Sequence, residues 1–498
     1  MQETNYMNTV YRLSRPALRA MALTLCLMAY AVASAQSLTP FQFGLSDTLS
    51  PEEVYRVLLR THKAADSTGA TVSYEGIDTL RIAIPQDAQS IPLQTVNDFG
   101  GAVFMVANNT KELYLFRYTP AAYPVKVTDT AAICLAIDKG DFSSIPQLSE
   151  GDWLLHIVDS TPWVNRRRDH EYGHYREDIM TIHDGLSADS PAMPYGVGGS
   201  RPTVYARPLD SISLMPFTFG NITLIRDDSA TFPTHLIQLE NLPQATLSNI
   251  VVITPYSKRL AANDAIIYIY NSTNITIDSL SIWGTYSRTN HSGYGILMGN
   301  LRNTRIRKLK SLTDWGVFGT NNMTDTYIEY SDFNRFDIHC YGRNVIFDHC
   351  LQRNGYNQFS SVYGTIAFRS CTFDNFTPVL IEDTYNAYTP FLLSIDSCRW
   401  WPTARRNMIF NGGFIDSPLN SREELQTPSL PDIVIDSLEI YTTKAIRQVE
   451  LLHLKGSERR ANAHRGLERV VMEGIELRGN PGTNIILSNK RVKMAEER

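Results

Sequence analysis

The sequence predicts an all-β solenoid, in which short strands repeat and stack coil upon coil. The main observation is a recurring pattern of Asn or Asp, apolar, any, apolar, two turn residues, apolar, any, apolar, which indicates two short strands around a corner. The pattern begins at Asn221, Asn274, Asn303, Asp325, Asn344, Thr365, Leu392 and Asp432. From Asn274 to Leu392 the starts lie roughly 19 to 29 residues apart, as expected for one coil each.

Two further observations support this fold. Asn221, Asn274, Asn303 and Asn344 share one position of the repeat, which predicts a stacked column at a tight corner, because asparagine tolerates left-handed backbone geometry. Ahead of the strands, residues 50–66 combine a capping serine, a proline, two first-turn glutamates and an apolar stripe. This pattern predicts an amphipathic helix that caps the open end of the solenoid.

The N-terminus predicts export. A basic segment is followed by an apolar run that is too short to span a membrane comfortably and by Ala33-Ser34-Ala35, a small-residue cleavage site. We expect cleavage near Ala35 and a mature protein that starts at Gln36 and is secreted to the periplasm, the cell surface or the exterior. The expected organisation is a signal peptide at 1–35, an N-terminal cap with the first strands at 36–95, early coils at 96–215 with an inserted loop at 160–205, regular coils at 216–480, and a C-terminal cap or tail at 481–498.

The overall composition argues against several partners. The net charge is −5, from 46 basic and 51 acidic residues, so no global charge favours nucleic acid or an anionic membrane. No segment after the signal is long and apolar enough for a membrane span. Cys350, Cys371 and Cys398 share one inward position of the repeat, which favours a core ladder of buried thiols over a metal or redox column. No pattern indicates the oligomeric state.

The segment Arg335–Tyr341 carries an unusual polar row. Its alternation places Phe336 and Ile338 inward and puts an arginine, a carboxylate, an imidazole and a phenol on the other face. Alignment of neighbouring coils sets Tyr294 inward beside Phe336. On the outer face it sets Asp314 beside Arg335, Gly295 and Gly316 beside Asp337, and Phe318 beside His339. The glycines predict a shallow trough next to the Asp337 carboxylate.

The candidate site therefore extends over several coils. The predicted catalytic residues are Arg335, Asp337, His339, Asp314 and Tyr341. The predicted substrate-binding residues are Tyr268, Tyr270 and Phe318, as stacking surfaces for sugar rings, and Gln358. No metal ligand is assigned: His170, Glu171 and His174 have HExxH spacing, but Gly173 interrupts the helix that such a site needs, and a solvated or substrate-facing loop is favoured.

The signal, the capping helix and the repeated coils resemble the pectate-lyase-like superfamily of right-handed, single-stranded parallel β-helices. Within it they look most like secreted bacterial and phage-tail-type polysaccharide-degrading proteins. The resemblance implies an extracellular polysaccharide as partner and lyase, hydrolase or binding activity. The sequence lacks the paired aspartates, GHG and RIK of polygalacturonases and the calcium-binding aspartates and WxDH of pectate lyases. No cofactor is therefore assigned, and calcium dependence stays open.

Three functions fit the polar row. The favoured one is a polysaccharide lyase that performs β-elimination on a uronic-acid-containing glycan, with Arg335 neutralising the uronate, His339 as base and Tyr341 as acid. The second is an inverting glycoside hydrolase that uses Asp314 and Asp337, which as diagonal neighbours would lie about 8 Å apart. The third is a non-catalytic glycan-binding or adhesion protein, in which the row is an exterior salt-bridge cluster.

Overall fold

The structure is a computed structural model. It describes residues 37–108, 113–118, 120, 123–128, 130–164, 174–191, 195, 200–210, 214–226, 235–253, 265–283, 294–312, 316–360, 362–381, 391–413, 432–455 and 470–488. The predicted signal peptide at 1–35 and most of the predicted tail at 481–498 lie outside these residues. Within them, no helix is both long enough and apolar enough to cross a membrane.

The N-terminal cap contains one long helix and the first strands. A 3₁₀ helix at Pro40–Phe43 precedes α1 (Pro51–Thr68). Ser50 closes the start of α1 in a capping box, in which its N–H donates to Glu53 Oε2 at 2.8 Å. The strands of this part are β1 (Ser37–Leu38), β2 (Thr71–Val72), β3 (Thr79–Ile84), β4 (Ile91–Pro92), β5 (Val96–Asp98), β6 (Val103–Asn108) and β7 (Tyr114–Tyr118). Val54 and Leu58 of α1 pack into the core of the solenoid, so the capping helix is confirmed.

An antiparallel sheet interrupts the coils. It consists of β8 (Val125–Val127), β9 (Asp152–Val164), β10 (His174–His183) and β11 (Pro202–Pro208), in the order β10-β9-β11-β8, and α2 (Thr130–Lys139) belongs to the same unit. The loop predicted at 160–205 is corrected here, because β10 and the start of β11 lie in it. A separate apolar core, which includes Ile137, Leu155 and Met180, holds this unit together.

The remaining strands continue the solenoid that β3 to β7 begin. They are β12 (Phe217–Arg226), β13 (His235–Glu240), β14 (Ala245–Ile253), β15 (Ala265–Trp283), β16 (Tyr294–Arg307), β17 (Lys310–Leu312), β18 (Gly316–Glu329), β19 (Asp332–Phe333), β20 (Phe336–Ile338), β21 (Gly342–Asp348), β22 (Leu351–Arg353), β23 (Asn357–Phe359), β24 (Val362–Arg369), β25 (Thr372–Asp374), β26 (Val379–Ile381), β27 (Phe391–Trp401), β28 (Met408–Gly413), β29 (Asp432–Thr442), β30 (Gln448–Lys455), β31 (Val470–Gly479) and β32 (Asn484–Ser488). Apart from β31 and β32 at the C-terminal end, each of these strands pairs in parallel with the strand above and below it, so the predicted parallel β-helix is confirmed.

The corners and the interior follow the repeat. The four predicted corner asparagines all adopt left-handed backbone angles, with φ of 55° at Asn221 and 52° at Asn344. They bond along the stack, and Asn344 Nδ2 donates to Asp325 Oδ1 at 2.8 Å. Inside, Cys350, Cys371 and Cys398 are buried free thiols, as the core-ladder interpretation predicts.

Candidate functional site

The candidate site lies on one wall of the solenoid, which we call the site sheet. It is formed by β7, β13, the starts of β15, β16 and β18, and then β20, β23, β26, β28 and β30. Asp337 pairs with Gly319 on one side and with Gln358 on the other. The same outward row runs through Gln238, Tyr268, Leu297, Gly319, Asp337, Gln358, Leu380, Asn411 and His453.

Asp337 is on the outer side of its strand, as predicted, because its neighbours Phe336 and Ile338 both belong to the core. Its carboxylate is nevertheless fully buried. Arg335 Nε donates to Asp337 Oδ1 at 2.6 Å, and Arg335 Nη2 donates to Gln358 Oε1 at 3.0 Å. The guanidinium also lies over the ring of Tyr356, 4.4 Å from its centre.

Charge pairing dominates the electrostatics of this group. Burial by itself lowers the pKa of the Arg335 guanidinium, but the attraction and hydrogen bond of Asp337 outweigh it and raise that pKa above its usual value. Arg335 is 5% exposed and directed at two protein partners. In this structure it therefore neutralises Asp337 and is itself shielded from solvent.

Two proton-carrying side chains converge on the second oxygen of Asp337. The Tyr294 hydroxyl donates to Asp337 Oδ2 at 3.4 Å, and His339 Nε2 lies 3.8 Å from the same oxygen. The two rings meet edge to face at 6.5 Å. The side chain of His339 is 13% exposed, so it connects the buried carboxylate with the surface.

The sequence alignment placed the glycines wrongly. The glycine beside Asp337 is Gly319, not Gly295 or Gly316. It does not leave an open trough, because a Cβ at Gly319 would lie 2.7 Å from the Tyr294 ring. The glycine therefore admits the tyrosine across the sheet surface and lets its hydroxyl reach Asp337.

A second tyrosine uses a glycine in the same way. A Cβ at Gly299 would lie 2.3 Å from the ring of Tyr270, which is parallel to Tyr268 with ring centres 6.0 Å apart. Both phenols are partly buried, and burial followed by the nearby carboxylate Glu240 raises the pKa of Tyr268 to about 12. Burial and the Glu177 carboxylate also raise the pKa of Tyr270. Both hydroxyls stay protonated near neutral pH.

The antiparallel unit completes this end of the site. Glu177 of β10 accepts a hydrogen bond from the Tyr270 hydroxyl at 2.7 Å, and His156 Nε2 of β9 lies 3.1 Å from the same carboxylate. The Glu177 N–H donates to Asn322 Oδ1 at the corner of β18. Asn322 follows Asn321, which contacts Cys340 on the next coil. Cys340 follows His339 in the chain, so Glu177 is held near His339.

Buried charges anchor the antiparallel unit against the solenoid. Arg302 of β16 donates to the Ile179 carbonyl at 2.7 Å and to Asp178 Oδ1 at 3.2 Å. The unit has an ion pair of its own, in which Arg176 bonds to Asp159 Oδ2 at 3.0 Å with both side chains fully buried. Removing one partner of such a pair leaves an uncompensated charge, so these contacts fix the position of β10 beside the site sheet.

Other predicted site residues lie elsewhere. Phe318 pairs with Phe336, is fully buried and packs 5.2 Å from it, so its predicted place on the sugar-facing side is wrong. Tyr341 lies beyond the end of β20 with a left-handed φ of 57° and is 1% exposed, so the alternation does not carry it onto the row. Asp314, His170 and Glu171 lie outside the described residues, whereas His174 begins β10.

Sequence reasoning missed three members of the site. Tyr294 was expected inside because the alternation was continued to the first residue of β16. Glu177 lies in the segment predicted as a loop and His156 in the predicted early coils, neither is among the predicted site residues, and no local pattern connects them with a strand roughly a hundred residues later. Within the described residues, no group of three His, Cys, Asp or Glu side chains is placed to hold a metal ion.

Similar solved structures come from phage tailspikes. The tailspike protein gp49 from Pseudomonas phage LKA1 has a TM-score of 0.53 at 16% identity, over 91% of this chain and 80% of that one. The tailspike gp61 of Pseudomonas phage phi297 has a TM-score of 0.45 at 9% identity, over 89% and 80%. The Gp54 tailspike of Acinetobacter baumannii bacteriophage AP22, solved with A. baumannii capsular saccharide, has a TM-score of 0.36 at 11% identity, over 97% and 80%. No protein-family model and no curated protein matches the chain. At these identities the likeness to the first tailspike shows the fold alone.

Proposed function

We propose that this chain is an exported β-helix protein that binds an extracellular polysaccharide along the site sheet and cleaves it by β-elimination at His339. The observation that carries the proposal is the convergence of the Tyr294 hydroxyl and His339 Nε2 on one oxygen of Asp337. β-Elimination next to a uronate needs a base for the C5 proton and an acid for the leaving oxygen, and an imidazole and a phenol placed side by side can supply both.

The proposed reaction assigns one role to each group. The His339 imidazole takes the proton from C5 of the uronate, the bond between C4 and the leaving oxygen breaks, and a C4–C5 double bond forms. The Tyr294 hydroxyl gives its proton to the leaving oxygen. Asp337 stabilises the imidazolium that forms on His339, and Arg335 keeps Asp337 ionised.

Tyr268 and Tyr270 support polymer binding. They lie on the same outer wall as Asp337, on β15, three strand spacings or roughly 14 Å away. Their rings are partly buried and carry hydroxyl groups, and amphipathic aromatic rings of this kind can pack against sugar rings. We propose that a glycan crosses these tyrosines before it reaches His339.

Arg335 takes a different role from the one that the sequence suggested. Its donors are directed at Asp337 and Gln358, so we propose that it holds the charge balance of the site and does not contact the uronate. A divalent cation is another group able to neutralise a uronate, so the assay is run with calcium and with a chelator.

The test uses the full chain and a panel of uronic-acid and neutral polysaccharides. Unsaturated ends, followed by ultraviolet absorbance, indicate a lyase, while reducing ends without absorbance indicate a hydrolase. We expect His339→Ala and Tyr294→Phe to lower turnover by about 10²- to 10⁴-fold. The matched controls His349→Ala and Tyr330→Phe change exposed side chains that stack on each other at a different corner and are expected to keep the full rate. Full activity of either site variant would contradict the assignment.

One observation favours binding without cleavage as the second candidate. Asp337 is fully buried and both of its oxygens have protein contacts, which is the geometry of a structural ion pair. The same burial argues against Asp337 as the base of an inverting hydrolase, because that base must contact a water molecule beside the sugar. Retention of the protein by a polysaccharide that it never shortens would select the binding function.

A further inference from the structure

A second charged cluster lies on the site sheet near its C-terminal end. His453 Nδ1 is 2.8 Å from Glu450 Oε2, and Arg406 Nη2 lies 3.1 Å from the same ring nitrogen. Arg406 Nε is 3.9 Å from the other oxygen of Glu450. The three groups therefore form one linked arrangement on β30 and on the turn before β28.

The cluster is on the same outward row as Asp337. Along this row Asp337 is followed by Gln358, Leu380, Asn411 and His453, each on the next strand. Four strand spacings correspond to roughly 19 Å between the two ends. A polymer that runs along the solenoid axis from Asp337 would therefore pass over His453. A disaccharide bound at Asp337 is too short to reach His453.

The burial of the three groups differs, and this sets the sign of the accessible charge. The side chain of Glu450 is 9% exposed, whereas that of Arg406 is 63% exposed. The buried carboxylate accepts from Nδ1 and so orients the imidazole, while most of the Arg406 side chain is open to solvent. The surface of the cluster is thus cationic, with planar N–H donors that match a carboxylate.

Asn411 gives a second, independent observation. Its side-chain oxygen is buried and has no hydrogen-bond partner among the described residues. It lies on the strand directly beside His453, between that residue and Leu380. Buried acceptors without a partner are uncommon, and a rotation of the amide that turns this oxygen outward would let a sugar hydroxyl donate to it.

We propose that Arg406, His453 and Asn411 form a distal subsite that binds an anionic sugar residue of the polysaccharide. Arg406 pairs with the carboxylate of the sugar, and His453, held by Glu450 through Nδ1, accepts a hydrogen bond from a sugar hydroxyl at Nε2. The inference rests on the proposed function in one respect: the ligand is a polymer that lies along the site sheet. The inference adds that this polymer is acidic. It also adds that the protein gains binding free energy at a subsite far from the bond that is cleaved.

The experiment measures binding and turnover separately. The full chain is run in affinity gels that contain alginate, polygalacturonate, hyaluronan or dextran, and dissociation constants are read from the retardation. We expect at least one polyuronate, but not dextran, to retard the protein, with binding that weakens as salt is added. Arg406→Gln is expected to bind about tenfold more weakly, as for the loss of one charge-assisted pair.

The matched control is Arg405→Gln, which removes the same charge from the neighbouring exposed position. It is expected to bind like the wild type. Glu450→Gln gives a second reading: loss of the group that orients His453 should weaken binding while Arg406 remains. The inference is overturned if no polyuronate retards the protein, or if Arg406→Gln and Arg405→Gln bind equally.

The outcomes distinguish this inference from the cleavage proposal. Retardation that depends on Arg406, with no unsaturated product, keeps the distal subsite and removes the lyase. Unsaturated product with an unchanged dissociation constant in Arg406→Gln keeps the lyase and removes the subsite. If the protein also cleaves an acidic disaccharide, Arg406→Gln and the wild type should cleave it at the same rate. A disaccharide bound at His339 cannot extend to the distal subsite.

Discussion

The pair formed by Arg335 and Asp337 makes a quantitative prediction about what holds the site together. Both side chains are almost completely removed from solvent, at 6% and 0% exposure, and their nearest atoms are 2.6 Å apart. Replacing one charge in such a pair leaves the other buried without compensation, which typically costs about 3–5 kcal/mol. We therefore expect Arg335→Met and Asp337→Leu each to lower the free energy of unfolding by about that amount.

The double variant is the informative comparison. Replacing a buried ion pair by apolar side chains of similar volume is often neutral, so Arg335→Met with Asp337→Leu should recover most of the loss of either single variant. Unfolding of the full chain is followed in urea by tryptophan fluorescence, and the coupling is taken from the double-mutant cycle. Single variants that each lose less than about 1 kcal/mol, or a double variant that loses the sum of the two, would refute the charge-pair argument.

Two further predictions concern the glycine step and the N-terminal cap. Gly319→Ala should push the Tyr294 ring away from Asp337, because a Cβ would lie 2.7 Å from that ring; we expect lower turnover and a loss of about 1–3 kcal/mol in stability, and full turnover by the alanine variant would contradict this. Burial lowers the pKa of His62, which lies 2.8 Å from the Tyr74 hydroxyl, to about 4. Since the unfolded chain binds this proton near pH 6.5 and the folded chain only near 4, stability should fall by about 3 kcal/mol as the pH drops through this window. Urea unfolding at several pH values measures the slope, and a His62→Gln variant with an unchanged slope would exclude His62 as its source.

Much of the fold could be predicted from local patterns. The capping helix follows from the residues around Ser50, and the corners follow from asparagines such as Asn344, because both depend on backbone preferences of a few adjacent residues. The inward position of Phe336 and the outward position of Asp337 follow from alternation within one strand. These features need no knowledge of which strands are neighbours.

The register between coils was predicted less well. The alignment paired Phe318 with His339, whereas the structure pairs it with Phe336, three residues earlier. A register error of an odd number of residues exchanges the inward and outward faces of a strand. For this reason the alignment predicts that Phe318, a core residue, faces the sugar. Coils of unequal length shift the register without leaving a local signal, and only the stacking of whole coils decides it.

The sequence by itself thus determined a capped solenoid with an outward carboxylate at Asp337 and an imidazole at His339. Tertiary structure alone decided that Asp337 is buried against Arg335 and Tyr294, and that Glu177 from a separate antiparallel sheet bonds to Tyr270 across 93 positions of the chain. The physical reason is that periodicity reports which side of a strand a residue occupies. What covers that side is set by contacts between distant segments, which packing and charge pairing select.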